Sequence, residues 1–345
     1  MTLVLSSVLF VGCGKSNSAE ETAQTEVSSD NTQIEKETAA ESYEPAAIRL
    51  GVGTGRTPHL TALVAQQEGI FEKYNLDVQL AEFSAGIDTV NAIELGQVDV
   101  GYVADFAGLN RLGNLTDTND SNLRFIARLE KTTTMALYVN PDTVSSLEDL
   151  KGKSIALQLG VISEYFNINA LKEAGLTIDD VNIVSIDSAQ TGLGLVQSGK
   201  VDALWTAYAN IPKVEEYGFK KLITQEELGL YQNSLYVTTD SYISSNSEVL
   251  SRFLKATNET YDFISNNFEQ SVKDITDATG MDSTIVADSL KGTILQLDFS
   301  QDLMDDLSAM NQWLLENGYY ENSVDFNQYI DTDVLKEAIP TADIY

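Results

Sequence analysis

One cysteine, one histidine and few cations are present, and each scarcity removes a class of chemistry. Cys13 lies in the N-terminal leader, so the body behind it has no thiol to serve as nucleophile or to hold a cofactor. His59 stands alone. Without a nucleophile elbow, no Ser–His–acid set can be built beyond what that residue allows. Against 52 acidic residues there are 21 basic ones, a net charge of −31. Nucleic acid and anionic lipid call for a clustered basic surface, so neither is the main partner. The acidic stretches "DTNDSN" at 117–122 and "DITDATGMD" at 274–282 lack the ligand spacing of a calcium loop. They read as solvated loops and helix caps, and no metal or cofactor is expected.

The apolar run from Leu3 to Val11 is too short for a membrane span, which takes about 20 residues. It suits the core of a signal peptide over 1–12. "LFVGC", ending at Cys13, resembles a bacterial lipobox, in which the cysteine is diacylated and becomes the new N-terminus. No Lys or Arg precedes the run, and Phe10 stands where Leu is usual. From Gly14 to Glu44 the chain is almost all Ser, Thr, Asn, Gln, Glu and Ala, which cannot bury enough apolar area to fold. The expectation is a lipid-anchored tether at 13–45 and a protein on the outer face of the cell membrane.

A body of this length exceeds what one core usually serves, which predicts two lobes. "IRLGV" at 48–52 alternates apolar and polar residues, the period of a half-buried strand. Leu60, Leu63, Val64, Gln67 and Phe71 follow at helical spacing, and Asn75 stands where a helix stops in a left-handed conformation. "LDVQL", a helix closing over Val90 to Leu95, and "VDVGYV" complete a βαβαβ order, the pattern of a parallel sheet wound by helices. The order then repeats. "SIALQ" at 154–158, a helix from "GVIS" through Leu171, a left-handed stop at Gly175, "VNIVSI" at 181–186, a helix from Leu193 to Gln197 and "VDALWT" match it element for element. Gly96, Val98 and Asp99 recur as Gly199, Val201 and Asp202, 103 residues on, at the same place in that order. "NLRFIARLE", "TTTMALYVN" and "QNSLYVTT" are further strands, and the last two bracket the second unit as two crossings between lobes. From Ser245 onward the chain reads as helices. Lobe one is expected at 46–134 plus a mainly helical 239–345, and lobe two at 139–234.

"LVAQQEGIFEKYNLDVQL", "AIELGQVDVGYV", "VSSLEDLKGKSIALQLG", "ALKEAGLTIDDVNIV" and "LVQSGKVDALW" together resemble the solute-binding proteins of ABC importers for nitrate, sulfonates and taurine. That group also includes binders of thiamine precursors. The resemblance covers residues 48–265. It implies a two-lobed α/β Venus flytrap of the type 2 periplasmic-binding-protein kind, each lobe a mostly parallel sheet wrapped by helices. It further implies a monomer that serves a membrane permease and an ATPase. Binding is implied over catalysis. Related enzymes that make the thiamine pyrimidine use a cysteine-rich motif and several histidines, and porphobilinogen deaminases need a body cysteine; this chain has neither. A sensor passing a ligand signal to a membrane receptor is the third class.

In open parallel sheets a ligand sits outside the carboxyl ends of the strands. Those ends here are 53–59, 83–88 and 103–108 in lobe one, and 158–165, 187–192 and 205–210 in lobe two. Each opens a helix, whose free N–H groups and positive dipole end suit a small oxyanion. Candidate contacts are Arg56, Thr57, His59, Ser84, Gly86, Asp105, Phe106, Gly160, Val161, Trp205 and Tyr208. Arg56 is either a bidentate partner for a sulfonate or carboxylate, or an exposed cation among many acids. His59 is either a ligand contact or a satisfied residue of the first helical turn. Phe106, Trp205 and Tyr208 can stack on a flat ring or wall off water. Asp105 would accept from an amine or ring N–H.

Overall fold

A computed structural model describes residues 43–115, 121–207 and 210–345. The expected signal peptide, lipidated Cys13 and Tyr208 lie outside the described residues. The body starts slightly earlier than expected. Tyr43 and Glu44, assigned above to the tether, give their carbonyls to Asn75 and to buried Arg252, whose guanidinium also lies 5.0 Å from the Tyr43 ring.

The first unit runs β1 (Ala46–Gly53), α1 (Thr57–Gln67), α2 (Ile70–Lys73), β2 (Leu76–Phe83), α3 (Gly86–Glu94), β3 (Gly101–Ala104), α4 (Asp105–Gly113) and β4 (Leu123–Thr132). The single helix expected over 60–71 is two. Gly69 takes a left-handed φ of 67° and re-aims the chain so that Ile70 and Phe71 face the core. Asn75 stops in the left-handed region at φ 55°, the one non-glycine to do so among the described residues. The second unit runs β5 (Ala136–Val139), β6 (Ser154–Leu157), α5 (Ile162–Glu173), β7 (Asn182–Ser185), α6 (Ala189–Gln197), β8 (Ala203–Thr206), α7 (Ile211–Glu216) and β9 (Lys220–Thr224). The chain closes with β10 (Gln232–Thr239), α8 (Asp240–Asn266), α9 (Phe268–Thr279), α10 (Ser283–Lys291), β11 (Thr293–Asp298), α11 (Gln301–Glu316) and α12 (Asp333–Ala338).

The strands of each βαβαβ unit pair in parallel: β1 with β2, Leu50 with Val100, and β6 with both β7 and β8. Antiparallel strands extend both sheets. β10 pairs with β3 and β4, β11 with β4, and β5 with β8 and β9. β11 corrects the expectation of helices throughout the C-terminal part. Residues 293–298 close the free edge of β4, a pairing set by a strand far away in sequence. The chain passes from the first sheet to the second between β4 and β5 and returns between β9 and β10. Buried Gln225 fastens the two crossings together. Its N–H donates to the Met135 carbonyl, its amide oxygen accepts from Met135, and its amide nitrogen donates to the Thr132 carbonyl.

The repeated string does the same work in both units. Gly96 and Gly199 both sit at φ 66° just past α3 and α6. In each case the glycine and the residue after it donate back to the last-turn carbonyls, the paired bonds of a Schellman stop. Three residues on, the aspartate carboxylate accepts a backbone N–H from the neighbouring strand: Asp99 from Arg49 at 2.8 Å, Asp202 from Ser154 at 3.0 Å. The backbone bond back is also paired, from Asp99 to the Arg49 carbonyl and from Asp202 to that of Ser154. The valines between, Val98 and Val201, are buried.

Candidate ligand-binding cleft

The loop after β1 is built tightly. A side chain at Gly53 would run into the Tyr102 hydroxyl, with an added Cβ only 2.1 Å away. Gly55, at φ 70°, donates its N–H to Nδ1 of His59 at 3.1 Å. His59 is buried, and its Nε2 lies 3.9 Å from the Glu82 carboxylate. Accepting at Nδ1 puts the imidazole proton on Nε2. Burial lowers its pKa, opposed by the Glu82 charge, so the ring is neutral at neutral pH. The structure ties Nδ1 to Gly55 and leaves Nε2 with the Glu82 carboxylate 3.9 Å away. Arg56 is the N-cap residue of α1, with an exposed side chain and extended backbone. Among the described residues no carboxylate lies within ion-pair distance of its guanidinium. Thr57, buried, starts the helix next to it.

Under this N-terminus lies Glu130, near the carboxyl end of β4 and 4% exposed. Ser234 donates its hydroxyl to Oε1 at 2.8 Å, while Oε2 has no partner within hydrogen-bond geometry among the described residues. Burial raises the Glu130 pKa; the Thr57 and Ser234 hydroxyls and the Arg56 charge act against it. Ser84 is exposed just past β2, and Gly86 begins α3 where an added Cβ would lie 3.0 Å from the Tyr102 carbonyl oxygen.

Asp105 and Phe106 open α4, and both are buried. The Asp105 carboxylate takes the Phe106 N–H at 2.8 Å on one oxygen, and the Asn233 N–H at 2.7 Å on the other. It therefore bolts α4 to β10. Burial pushes its pKa up to about 7, against the bonds from Asn233 and Phe106, with the Asp306 charge adding to the rise. Asn233 continues inward: its amide oxygen accepts from Arg128, whose guanidinium grips Asp298 through two bonds of 2.7 and 2.5 Å.

On the second lobe Gly160 (φ 79°) and the half-buried Val161 precede α5. The Gly160 N–H donates to Glu164 Oε2 at 2.7 Å, and the Tyr319 hydroxyl donates to the same oxygen at 2.5 Å. Tyr319 follows α11, so this bond joins the lobes. Around it Trp313 meets Tyr165 edge-on at 5.2 Å, and Phe106 meets Tyr319 at 5.4 Å. Trp205 is buried against Phe166 and donates its indole N–H to Asn167. The Asn167 amide nitrogen and the Thr206 hydroxyl are buried without partners among the described residues.

The structure thus brings Arg56, Thr57 and Glu130 together in lobe one, and links Phe106 with Gly160 through Tyr319 and Glu164. It leaves Trp205 inside lobe two. Glu130, Asn167, Trp313 and Tyr319 were missed in the sequence. A lone acid at the end of an apolar strand, "FIARLE", was the one signal available. A recess of about 370 Å³ lies elsewhere, at the amino ends of β1 and β3, where Arg49 and Asp99 are paired to each other.

Two sheets of this topology, joined by two crossings, define a two-lobed binding-protein fold of the type 2 periplasmic class. The chain belongs to the NMT1/THI5-like family, which matches residues 56–271. A Brucella abortus protein described as a binding protein is 27% identical over 218 residues, 62% of this chain and 65% of the relative, so the match spans under two thirds of that relative. The 4-amino-5-hydroxymethyl-2-methylpyrimidine phosphate synthase of Aspergillus parasiticus is 26% identical over 224 residues, 60% of this chain and 63% of the synthase. The crystal structure of the periplasmic aliphatic sulphonate binding protein from Escherichia coli superposes with a TM-score of 0.71 at 21% identity, covering 83% of this chain and 98% of that one.

Proposed function

We propose that this protein is the extracytoplasmic solute-binding lipoprotein of an ABC importer. It closes its lobes on a small organic anion, of the sulfonate, taurine or nitrate kind, and delivers it to a membrane permease served by an ATPase. Cys13 carries the lipid, and the protein works as a monomer. The observation that carries the reading is Arg56. In a chain with 52 acids and 21 bases, this cation stands at the N-terminus of α1 with no carboxylate in ion-pair distance among the described residues. Cation and helix dipole act there in the same sense on an oxyanion. Likeness to a binder of aliphatic sulphonates supports the ligand class.

Catalysis is the weaker reading, although one relative is named a synthase. The sole imidazole is buried with its acceptor nitrogen occupied, and the body has no cysteine. A thiamine-precursor-like pyrimidine is the second ligand, favoured by the aromatic seam of Phe106, Tyr165, Trp313 and Tyr319. A thermal-shift screen over sulfonates, nitrate, carboxylates and pyrimidines selects the probe, and calorimetry then compares wild type with Arg56→Ala. Loss of a charge-assisted bond in a closed cleft weakens binding by about 1.5–3 kcal/mol. A drop below about 1 kcal/mol, as for an exposed ion pair, or a best hit that is a neutral heterocycle, sinks the anion reading.

A further inference from the structure

Helix α11 runs out in "ENGYY" at 316–320, and the turn that ends it holds one tyrosine still. Gly318 takes a left-handed φ of 75°, and the Gly318 and Tyr319 N–H groups return to the carbonyls of Leu315 and Leu314. Tyr320 is buried with its ring against Gly113, where an added Cβ would lie 2.2 Å away, and its hydroxyl donates to Asn311. The Asn114 amide donates to the Tyr319 carbonyl at 3.1 Å, so the end of α4 fixes the same turn. With its backbone pinned on lobe one, Tyr319 sends its side chain across to lobe two, where the hydroxyl donates to Glu164 Oε2. That oxygen also accepts the Gly160 N–H, so it draws on both lobes at once. Trp313 and Phe106 flank the Tyr319 ring at 5.7 and 5.4 Å and limit the ways it can turn. Burial and the bond to Glu164 raise the Tyr319 pKa, so the phenol keeps its proton and stays a donor at neutral pH.

We propose that Tyr319 is the positioning residue of lobe closure: its phenol and the Glu164 carboxylate form a latch that holds α5 against the end of α11. Since the turn is pinned to α4 and Glu164 belongs to α5, the lobes cannot part without breaking the bond. A phenol on a carboxylate is a charge-assisted pair, about twice as strong as a neutral one. Every atom of the latch belongs to the protein. Its contribution is therefore the same for every solute, and part of the closing balance is set before any ligand contact is made. This rests on the lobe closure of the reading above and is independent of the solute's class.

The test reads lobe separation directly and needs no ligand. The body has no cysteine, so the full chain with Cys13→Ser accepts spin labels at Ser84→Cys and Gln190→Cys alone. Both positions are exposed, one just past β2 and the other in the first turn of α6. Double electron–electron resonance on this background is expected to show a short, narrow distance distribution. Tyr319→Phe removes one hydroxyl and keeps the ring; it is expected to raise the ratio of open to closed molecules about tenfold, as new weight at longer distance. Glu164→Ala should give the same shift, and the double variant no more than either single one, because all three remove one bond. Glu164→Gln keeps an acceptor oxygen and should fall between wild type and Glu164→Ala. Melting temperatures confirm that each variant is folded. An unchanged distribution in Tyr319→Phe overturns the proposal, and so do shifts that add in the double variant. Either result leaves the import reading standing, and that reading fails instead if the thermal-shift screen finds no solute.

Discussion

His59 shows how far a residue's role can be read before its neighbours are known. Its place in the first turn of a helix was legible; its chemistry was not. Gly55 supplies the N–H that occupies Nδ1, and burial with Glu82 nearby sets the proton balance. Because the protein has one histidine, its imidazole signals in an NMR pH titration belong to one site. Their midpoint is expected below the ordinary value of about 6.5. A base with a depressed folded value contributes stability above its unfolded value and loses it as pH falls through the window below. A midpoint above 7 would show that Glu82 outweighs burial. Asp105 teaches the same lesson. An acid at a helix start next to an aromatic is a fair ligand contact on sequence grounds, yet both its oxygens are taken by Phe106 and Asn233. Asn233 is 128 residues away, and no local pattern announces it.

Elements were more legible than residues, because their signals are local. The Gly-x-Val-Asp string contains its own explanation: a left-handed stop, a buried valine and a carboxylate that ties the next strand to the first. Since both glycines have open space where a side chain would go, the cost of replacing them is backbone cost alone. Gly96→Ala and Gly199→Ala should each destabilise by about 1–2 kcal/mol, and by similar amounts, in thermal or urea unfolding. A value near zero at either site would mean that its helix can end another way. β11 marks the limit of this legibility. "TILQLD" is short and follows a run of helices, and its state is decided by the unpaired edge of β4 rather than by its own pattern.

At the scale of the molecule, the two lobes meet through side chains from segments that the sequence keeps far apart. Trp313 and Tyr319 come from the C-terminal helical region and reach Tyr165 and Glu164 on α5. This makes Trp313 a reporter of lobe movement, while Trp205 is enclosed within the second lobe. Ligand-induced closure should change tryptophan emission in wild type and in Trp205→Phe, and the change should vanish in Trp313→Phe. Should Trp205→Phe abolish the signal instead, the seam around Trp313 does not move with the ligand.

The sequence by itself determined the doubled α/β architecture, the parallel strands within each unit and the helix stops at Asn75 and Gly175, and it named Arg56 as a candidate cation. All of these rest on hydrogen bonds and side-chain periods that act within a few residues. Only the tertiary structure decided which polar groups are spoken for and which are left over. Both Asp105 oxygens and the Nδ1 of His59 are taken by the fold. Glu130, Asn167 and Thr206 keep atoms without partners among the described residues. That distinction depends on whether a complementary atom stands within about 3 Å, a matter of strands and helices packed together from distant parts of the chain.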